Sequence, residues 1–198
     1  VSTIYLEGGG DSAQLRIRCR EGFRKLLEKS GFVGRMPRLV ACGSRQTAFG
    51  RFNTAFLAKV DGEYVALLID SEDPMTNINQ TWDHLAIRDG WARPIGAADD
   101  QVLMITTCME TWIIVDRSTL EQHYGRHLRV SALPSLSNIE SRDRHEIQAK
   151  LATATSPCPN AYTKNKRSFE ILAKLNPDVL KRHLPSFARA LQILNDKA

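Results

Sequence analysis

Apolar residues fall along this chain in four short runs, separated by longer stretches where they recur every three or four positions. Residues 1–6 form a β-branched run that stops at Glu7-Gly8-Gly9-Gly10-Asp11, and Ser12 is placed to cap a helix reaching about residue 30. Leu15, Cys19, Phe23, Leu26 and Leu27 give that helix one apolar face, and Gly31 is a natural stop. Residues 37–42 read as a second strand, followed by a turn at Gly43-Ser44 and a helix over 45–59 with Ala48, Phe52, Ala55 and Phe56 on its inner side. After a turn at Asp61-Gly62, residues 64–69 are continuously apolar, the pattern of a strand covered on both faces, and the run ends abruptly at Asp70. A helix over 81–89, a strand over 102–106 and a helix over 109–124 carrying Trp112, Ile113 and Leu120 follow. Strands alternating with helices four times predict an α/β fold with a mostly parallel four-stranded sheet flanked by helices.

Beyond Gly125 the strand signal fades. Residues 128–138 read as loop, 141–154 as helix, 156–160 as a break, and 166–175 as helix; Asn176-Pro177 restarts a helix, and Pro185 opens the last one, ending near 195. The expected organisation is an α/β core over residues 1–125 and a helical C-terminal extension over 126–198 that packs on it as one compact domain.

Composition narrows the function classes. The 198 residues are 42% hydrophobic and 25% charged, ordinary for a globular chain with one sizeable core. No apolar run approaches the roughly 20 residues that span a bilayer, and no basic-then-apolar segment opens the chain. The expectation is a cytoplasmic protein with no membrane partner. Cys19, Cys42, Cys108 and Cys158 are scattered, which argues against a zinc site built on paired cysteines and against a disulfide framework. The net charge of +5 is unevenly spread: basic residues crowd positions 16–59 and 142–189, and acids gather at 70–73 and 99–100. Basic flanks around an acidic centre suit an enzyme that grips phosphates and holds a metal.

The candidate chemistry sits where strands end. In an open parallel sheet, ligands bind at the carboxyl edge. Glu7 follows strand one, Asp70 follows strand three, and Glu72 and Asp73 share the next loop. Carboxylates so packed repel one another, a penalty that a hard divalent cation removes. Asp70 and Glu72 would share a side of an extended chain, and a turn would bring in Asp73 instead. Helix capping by Asp11 and a turn role for Asp73 before Pro74 are the plainer readings of those two residues. Gly8, Gly9 and Gly10 allow a close backbone approach to a ligand. They do not form G-x-G-x-x-G, and no G-x-x-x-x-G-K-[ST] loop occurs, so ATP hydrolysis by this chain alone is not expected. Nor is there a G-x-S-x-G elbow. Arg45 opens the helix after strand two as a candidate phosphate clamp, and Glu110 opens the helix after strand four as a candidate further ligand. The five histidines show no H-E-x-x-H spacing, although His123 and His127 are one helical turn apart.

Ile4-Tyr-Leu-Glu7-Gly-Gly-Gly-Asp11 followed by a helix resembles the first motif of the Toprim domain, in which a Glu ends the first strand. Leu67-Leu-Ile-Asp70-Ser-Glu72-Asp73 resembles its second, the magnesium-binding Asp-x-Asp, with Glu72 in the third position and Asp73 one further on. The chain more closely resembles the Toprim-like group called domain of unknown function 4276, and is similar to the RloB proteins of restriction loci and to OLD-type nucleases. Cys108-Met-Glu110-Thr-Trp112-Ile-Ile looks like their Phe-Glu-x-Trp helix, and Tyr162-x-Lys164-x-Lys166 like their C-terminal Tyr-x-Lys element. The resemblance implies a Toprim-like, Rossmann-like fold and phosphodiester cleavage of DNA or RNA with Mg2+, or Mn2+ in its place. It also implies Glu7 as ligand or general base, a role with the metal for Asp70 and Glu72, and Lys164 and Lys166 on the scissile phosphate. An ABC-type ATPase partner and a place in phage defence are further implications. The altered second motif keeps open a catalytically idle Toprim fold that docks on a partner ATPase or nucleic acid.

Overall fold

The computed structural model describes residues 2–164 and 166–197, with the side chain of Lys166 outside that description. Four strands form one all-parallel sheet in the order β2-β1-β3-β4. They are β1 (Ser2–Gly9), β2 (Arg38–Gly43), β3 (Tyr64–Asp70) and β4 (Val102–Ile105). Between them run α1 (Ala13–Leu27), α2 (Arg45–Ala58) and α3 (Thr81–Asp89). After β4 come α4 (Met109–Val115), α5 (Arg117–Tyr124), α6 (Arg144–Thr155), α7 (Lys166–Leu172), α8 (Pro177–His183) and α9 (Pro185–Lys197).

Side chains alternate across the sheet, as a period of two requires. Ile4, Leu6, Ala66, Leu68, Leu103 and Ile105 share one core with α1 and the C-terminal helices. Val65, Leu67, Ile69, Val102 and Met104 share the other with α2 and α3, where Phe52, Trp82 and Leu85 cover them. β3 is buried along its whole apolar run, which is why its sequence shows no polar alternation. Each of its leucines contributes about 1.5–3 kcal/mol by leaving water. The C-terminal helices close the first core: Phe187 of α9 meets the fully buried Trp112 of α4 edge to face, ring centroids 4.8 Å apart.

Several boundaries differ from the sequence reading. Strand one runs on to Gly9, because Gly8 and Gly9 both pair with Gly43 across a bulge. Glu7 therefore lies inside β1 and not beyond it. Only glycine fits at Gly9: its φ is +89°, and a Cβ there would come within 2.7 Å of Arg16 Cα. The helix expected over 109–124 is two helices. Asp116 breaks it by accepting hydrogen bonds from the Thr119 amide (3.1 Å), the Thr119 hydroxyl (2.8 Å) and the Asn176 amide (2.7 Å). The helix expected from 141 begins at Arg144, where Asp143 is the cap, accepting from His145 N and Glu146 N. Helix α1 passes into a π-helical turn over Glu28–Phe32, within which Gly31 takes φ +94°. The loop at 128–138 contains a short 3-10 turn, Val130–Ala132, and the helix from Lys166 ends at Leu172 and not at 175.

No helix among the described residues is long and apolar enough to cross a membrane. All four cysteines are buried and free.

Candidate functional site

The strand order creates a crevice at one place. β1 is followed by a connection leading to β2 on one side, and β3 by one leading to β4 on the other. Helix α1 packs on one face of the sheet and α3 on the opposite face. The carboxyl ends of β1 and β3 are thus neighbours whose chains depart in opposite directions, the topological switch point at which α/β sheets bind ligands. Glu7 is on β1, one residue past the Leu6–Leu68 pair, and Asp70 closes β3, two residues past it.

The two residues are in direct contact, and the charge of one carboxylate acts on the other. The Asp70 amide donates to Glu7 Oε2 at 3.3 Å. Glu110, in the first turn of α4 and only 1% exposed, comes from the far side of β3. Its Oε1 accepts from the Tyr162 hydroxyl at 2.7 Å, and its Oε2 accepts from Gln148 Nε2 at 3.4 Å. Two segments far apart in sequence, the α4 start and the Tyr162 segment, are thereby joined at the crevice.

Arg45 is the cation of the site. Its guanidinium donates to Glu7 Oε2 at 3.4 Å and to the Asp70 carbonyl. The rest of the group is fixed. Nε and Nη2 grip both oxygens of Asp89 at 2.9 and 2.7 Å, and the Trp91 ring lies 5.2 Å from Cζ. Trp91 is itself stacked on Phe49, 4.1 Å between centroids and 6° from parallel. Such a fork-on-fork pair over an aromatic face holds a guanidinium in one geometry.

Charge balance at the crevice is strained towards the negative. Burial pushes the Asp70 carboxyl well above the usual carboxylate range, and the charges of Glu7 and then Glu110 push it further; Lys164 and Arg45 pull the other way. Burial also raises Glu7, against the opposing pull of Arg45, the Asp70 amide and Lys164. The Tyr162 hydroxyl is raised by burial and by Glu110, so it stays a donor. The Cys108 thiol, the N-cap of α4, is raised by burial, by Glu110 and by Asp70. Asp89 goes the other way: burial opposes its charge, but Arg45 and Arg88 hold it below the ordinary range.

The remaining sequence candidates are placed as follows. Glu72 takes a left-handed backbone, φ +68°, and its carboxylate is held by Arg88 at 2.9 Å and by Arg144 of α6. Asp73, largely exposed, pairs with Arg88 at 3.1 Å. Both acids are thus engaged by arginines beside the crevice, while Glu7, Asp70 and Glu110 converge on it. Among the described residues no three His, Cys, Asp or Glu side chains close tightly enough to enclose a metal ion by themselves. Lys164 is exposed, and its charge reaches both Glu7 and Asp70. The Lys166 side chain lies outside the described residues. Gly8 and Gly9 are strand residues of β1, and Gly10 leads from it into the turn before α1, with open space where a Cβ would stand.

Sequence reading passed over Asp89, Arg88, Gln148 and Arg144. One signal was available: Asp89 is an acid in the last turn of a helix, where the dipole disfavours it, so a cationic partner was to be expected.

A family model described as a domain of unknown function (DUF4276) matches residues 6–195. No curated protein and no solved structure matches the chain.

Proposed function

The chain belongs to the DUF4276 family of unknown function, and for this member of it we propose a Toprim-like nuclease that cleaves nucleic-acid phosphodiester bonds with Mg2+, Mn2+ serving in its place. The observation that carries the reading is the meeting of Glu7 and Asp70 at the switch point of the sheet, with buried Glu110 alongside.

The donor set fits a hard cation. Three carboxylates within electrostatic reach of one another leave Asp70 under a repulsion that Arg45 and Lys164 do not cancel. Mg2+ is commonly held by one or two carboxylates, several waters and substrate phosphate, not by an all-protein cage, and Glu7 and Asp70 are such a pair. Glu110, fixed by Tyr162 and Gln148, would hold a bridging water or complete the set. When bound, the ion supplies Lewis-acid polarisation of a phosphoryl oxygen and a more acidic water. The protein's own groups do the rest. The alternative role for Glu7, with Asp70 on the ion, is as the base that takes a proton from an attacking water. Arg45, immobilised by Asp89 and Trp91, presents fixed positive charge beside the reacting phosphate, and Lys164 offers a second cation from the rim.

The resemblance to RloB and OLD-type nucleases also supports a phage-defence role beside an ABC-type ATPase partner, which would supply the nucleotide chemistry that this sequence has no phosphate loop for. A second reading has its own observation. Arg45 on Glu7 and Arg88 with Arg144 on Glu72 are internal counter-ions, as in a fold that binds a partner or nucleic acid without cutting. Incubation of the pure protein with DNA, RNA and transfer-RNA panels, in Mn2+, Mg2+ and EDTA, separates the two. Cleavage that needs metal and disappears in Glu7→Gln supports the nuclease; cleavage that survives Glu7→Gln refutes the mechanism; no cleavage of any substrate favours the binding module.

A further inference from the structure

We propose that the cleft between the β3–α3 loop and α3 is a nucleobase subsite, which takes the base of a nucleotide next to the scissile phosphate and reads guanine through Asp83. The inference deepens the nuclease reading and rests on it for the class of ligand, but its binding chemistry is measured without metal or cleavage.

The cleft opens beside the crevice. Asp70 is the last residue of β3, and the carbonyl of Ser71, directly after it, accepts from His84 Nε2 at 2.8 Å. His84 and Arg88 both line the cleft. Arg88 donates to Asp89 Oδ1 at 2.7 Å, and Asp89 grips the Arg45 that bonds Glu7. Two short chains of contact thus join the cleft to the two crevice carboxylates. The loop itself is pinned. The Ser71 and Glu72 amides donate to the Ile105 and Thr107 carbonyls, each at 2.8 Å, and Asn77 Oδ1 accepts from the Asn79 amide at 2.9 Å in the turn before α3. A cleft held in this way costs a ligand little ordering on binding.

Its lining has the chemistry of a flat, uncharged heterocycle. The volume is about 540 Å³, within the range of small-ligand sites. Met75 and Ile87 supply apolar surface, and Ile87 is 87% exposed. Asn77 and Gln80 bring amides. Asp73 and Asp83 repel phosphate, and the arginine of the cleft, Arg88, is already shared among Glu72, Asp73 and Asp89. The cleft therefore suits a base and not the phosphate attached to it.

Asp83 selects among the bases. Asp73 is taken by Arg88 at 3.1 Å, whereas the Asp83 carboxylate is exposed and has no hydrogen bond or ion pair among the described residues. It stands one helical turn before Ile87, so acid and apolar wall share a face of α3. A carboxylate only accepts, and its two oxygens are best matched by two adjacent donors. Guanine presents such a pair, N1–H and N2–H, on its Watson–Crick edge; adenine, cytosine and thymine each present one donor group there. An arginine-bearing peptide offers a similar pair, but the adjoining carboxylate crevice, suited to a metal on a phosphodiester, favours nucleic acid.

The test is fluorescence anisotropy of labelled single-stranded thymidine nonamers with the full chain in EDTA. The central base is guanine, adenine or hypoxanthine, which is guanine without its N2 amine. Asp83→Asn is compared with Asp61→Asn, an equal charge change at an exposed turn before β3, the other end of that strand. Wild type and Asp61→Asn are expected to bind the guanine strand about fivefold or more tighter than the other two, the discrimination of a good paired contact. Asp83→Asn loses that preference, whatever its overall affinity. Equal affinity of wild type for the three strands overturns the proposal. So does a preference that Asp83→Asn keeps or Asp61→Asn loses, or wild-type protein that binds an arginine-rich peptide and no oligonucleotide. A guanine preference without metal-dependent cleavage supports the subsite and counts against the nuclease; cleavage with no preference in binding refutes the subsite alone.

Discussion

Replacing Arg45 with methionine keeps an unbranched side chain on α2 but removes the cation from between Glu7 and Asp89. In the folded protein the Arg45 side chain is 14% exposed and that of Asp89 is 9% exposed. Breaking one partner out of a buried pair costs about 3–5 kcal/mol, because the abandoned charge stays buried. Arg88 retains a 2.7 Å bond to Asp89 Oδ1, which places the expected loss at the lower end, about 3 kcal/mol. For a chain of this length that corresponds to a fall in Tm of about 6–12 °C. Arg45→Lys keeps the charge and loses the two-pronged grip, so its loss is smaller, about 1.5 kcal/mol. The assay is urea unfolding followed by tryptophan fluorescence, with Trp91 lying against Arg45 as a local reporter. A double-mutant cycle with Asp89→Asn should return a coupling of about 1–3 kcal/mol. A loss under about 0.5 kcal/mol for Arg45→Met, or strictly additive effects, would refute the claim that the pair is buried and mutually dependent.

Three further outcomes follow from the same geometry. Asp70→Asn should stabilise the metal-free protein at neutral pH: the folded carboxyl ionises above its ordinary range, so wild type is penalised as pH rises above about 4 and the advantage of the variant vanishes below it, as thermal melts at pH 3.5 to 8 in EDTA will show. Tyr162→Phe removes the short bond to buried Glu110 and should cost about 1.5–3 kcal/mol in urea unfolding; a loss under about 0.5 kcal/mol would mean that Glu110 is satisfied otherwise. Glu72→Gln should lower Mn2+ affinity far less than Asp70→Asn, since Glu72 is engaged by Arg88 and Arg144; equal losses in a titration would show that Glu72 leaves its arginines to bind the metal.

How far the sequence could be read depended on the range of the interactions. The apolar run at 64–69 announced a doubly covered central strand, since burial on both faces leaves a local trace. Parallel strands alternating with helices likewise placed Glu7 and Asp70 at one edge. That they are adjacent depends on strand order, which no local pattern encodes. The helix break at Asp116 escaped because one of its partners, Asn176, is 60 residues away. The disposition of Glu72 escaped for two reasons: its backbone turns left-handed, and its arginines lie on α3 and α6. Strict alternation from Asp70, the assumption that put Glu72 beside it, fails once the strand ends and the chain turns. Asp89 was legible in principle, as an acid at the wrong end of a helix.

The central claim is that Glu7 and Asp70 bind a divalent cation. Calorimetric titration of the metal-free protein with Mn2+ and Mg2+, beside Glu7→Gln and Asp70→Asn, tests it directly. Saturable binding by wild type, weakened about tenfold or more in each variant, is the predicted result. No binding, or binding that both variants retain unchanged, would contradict it.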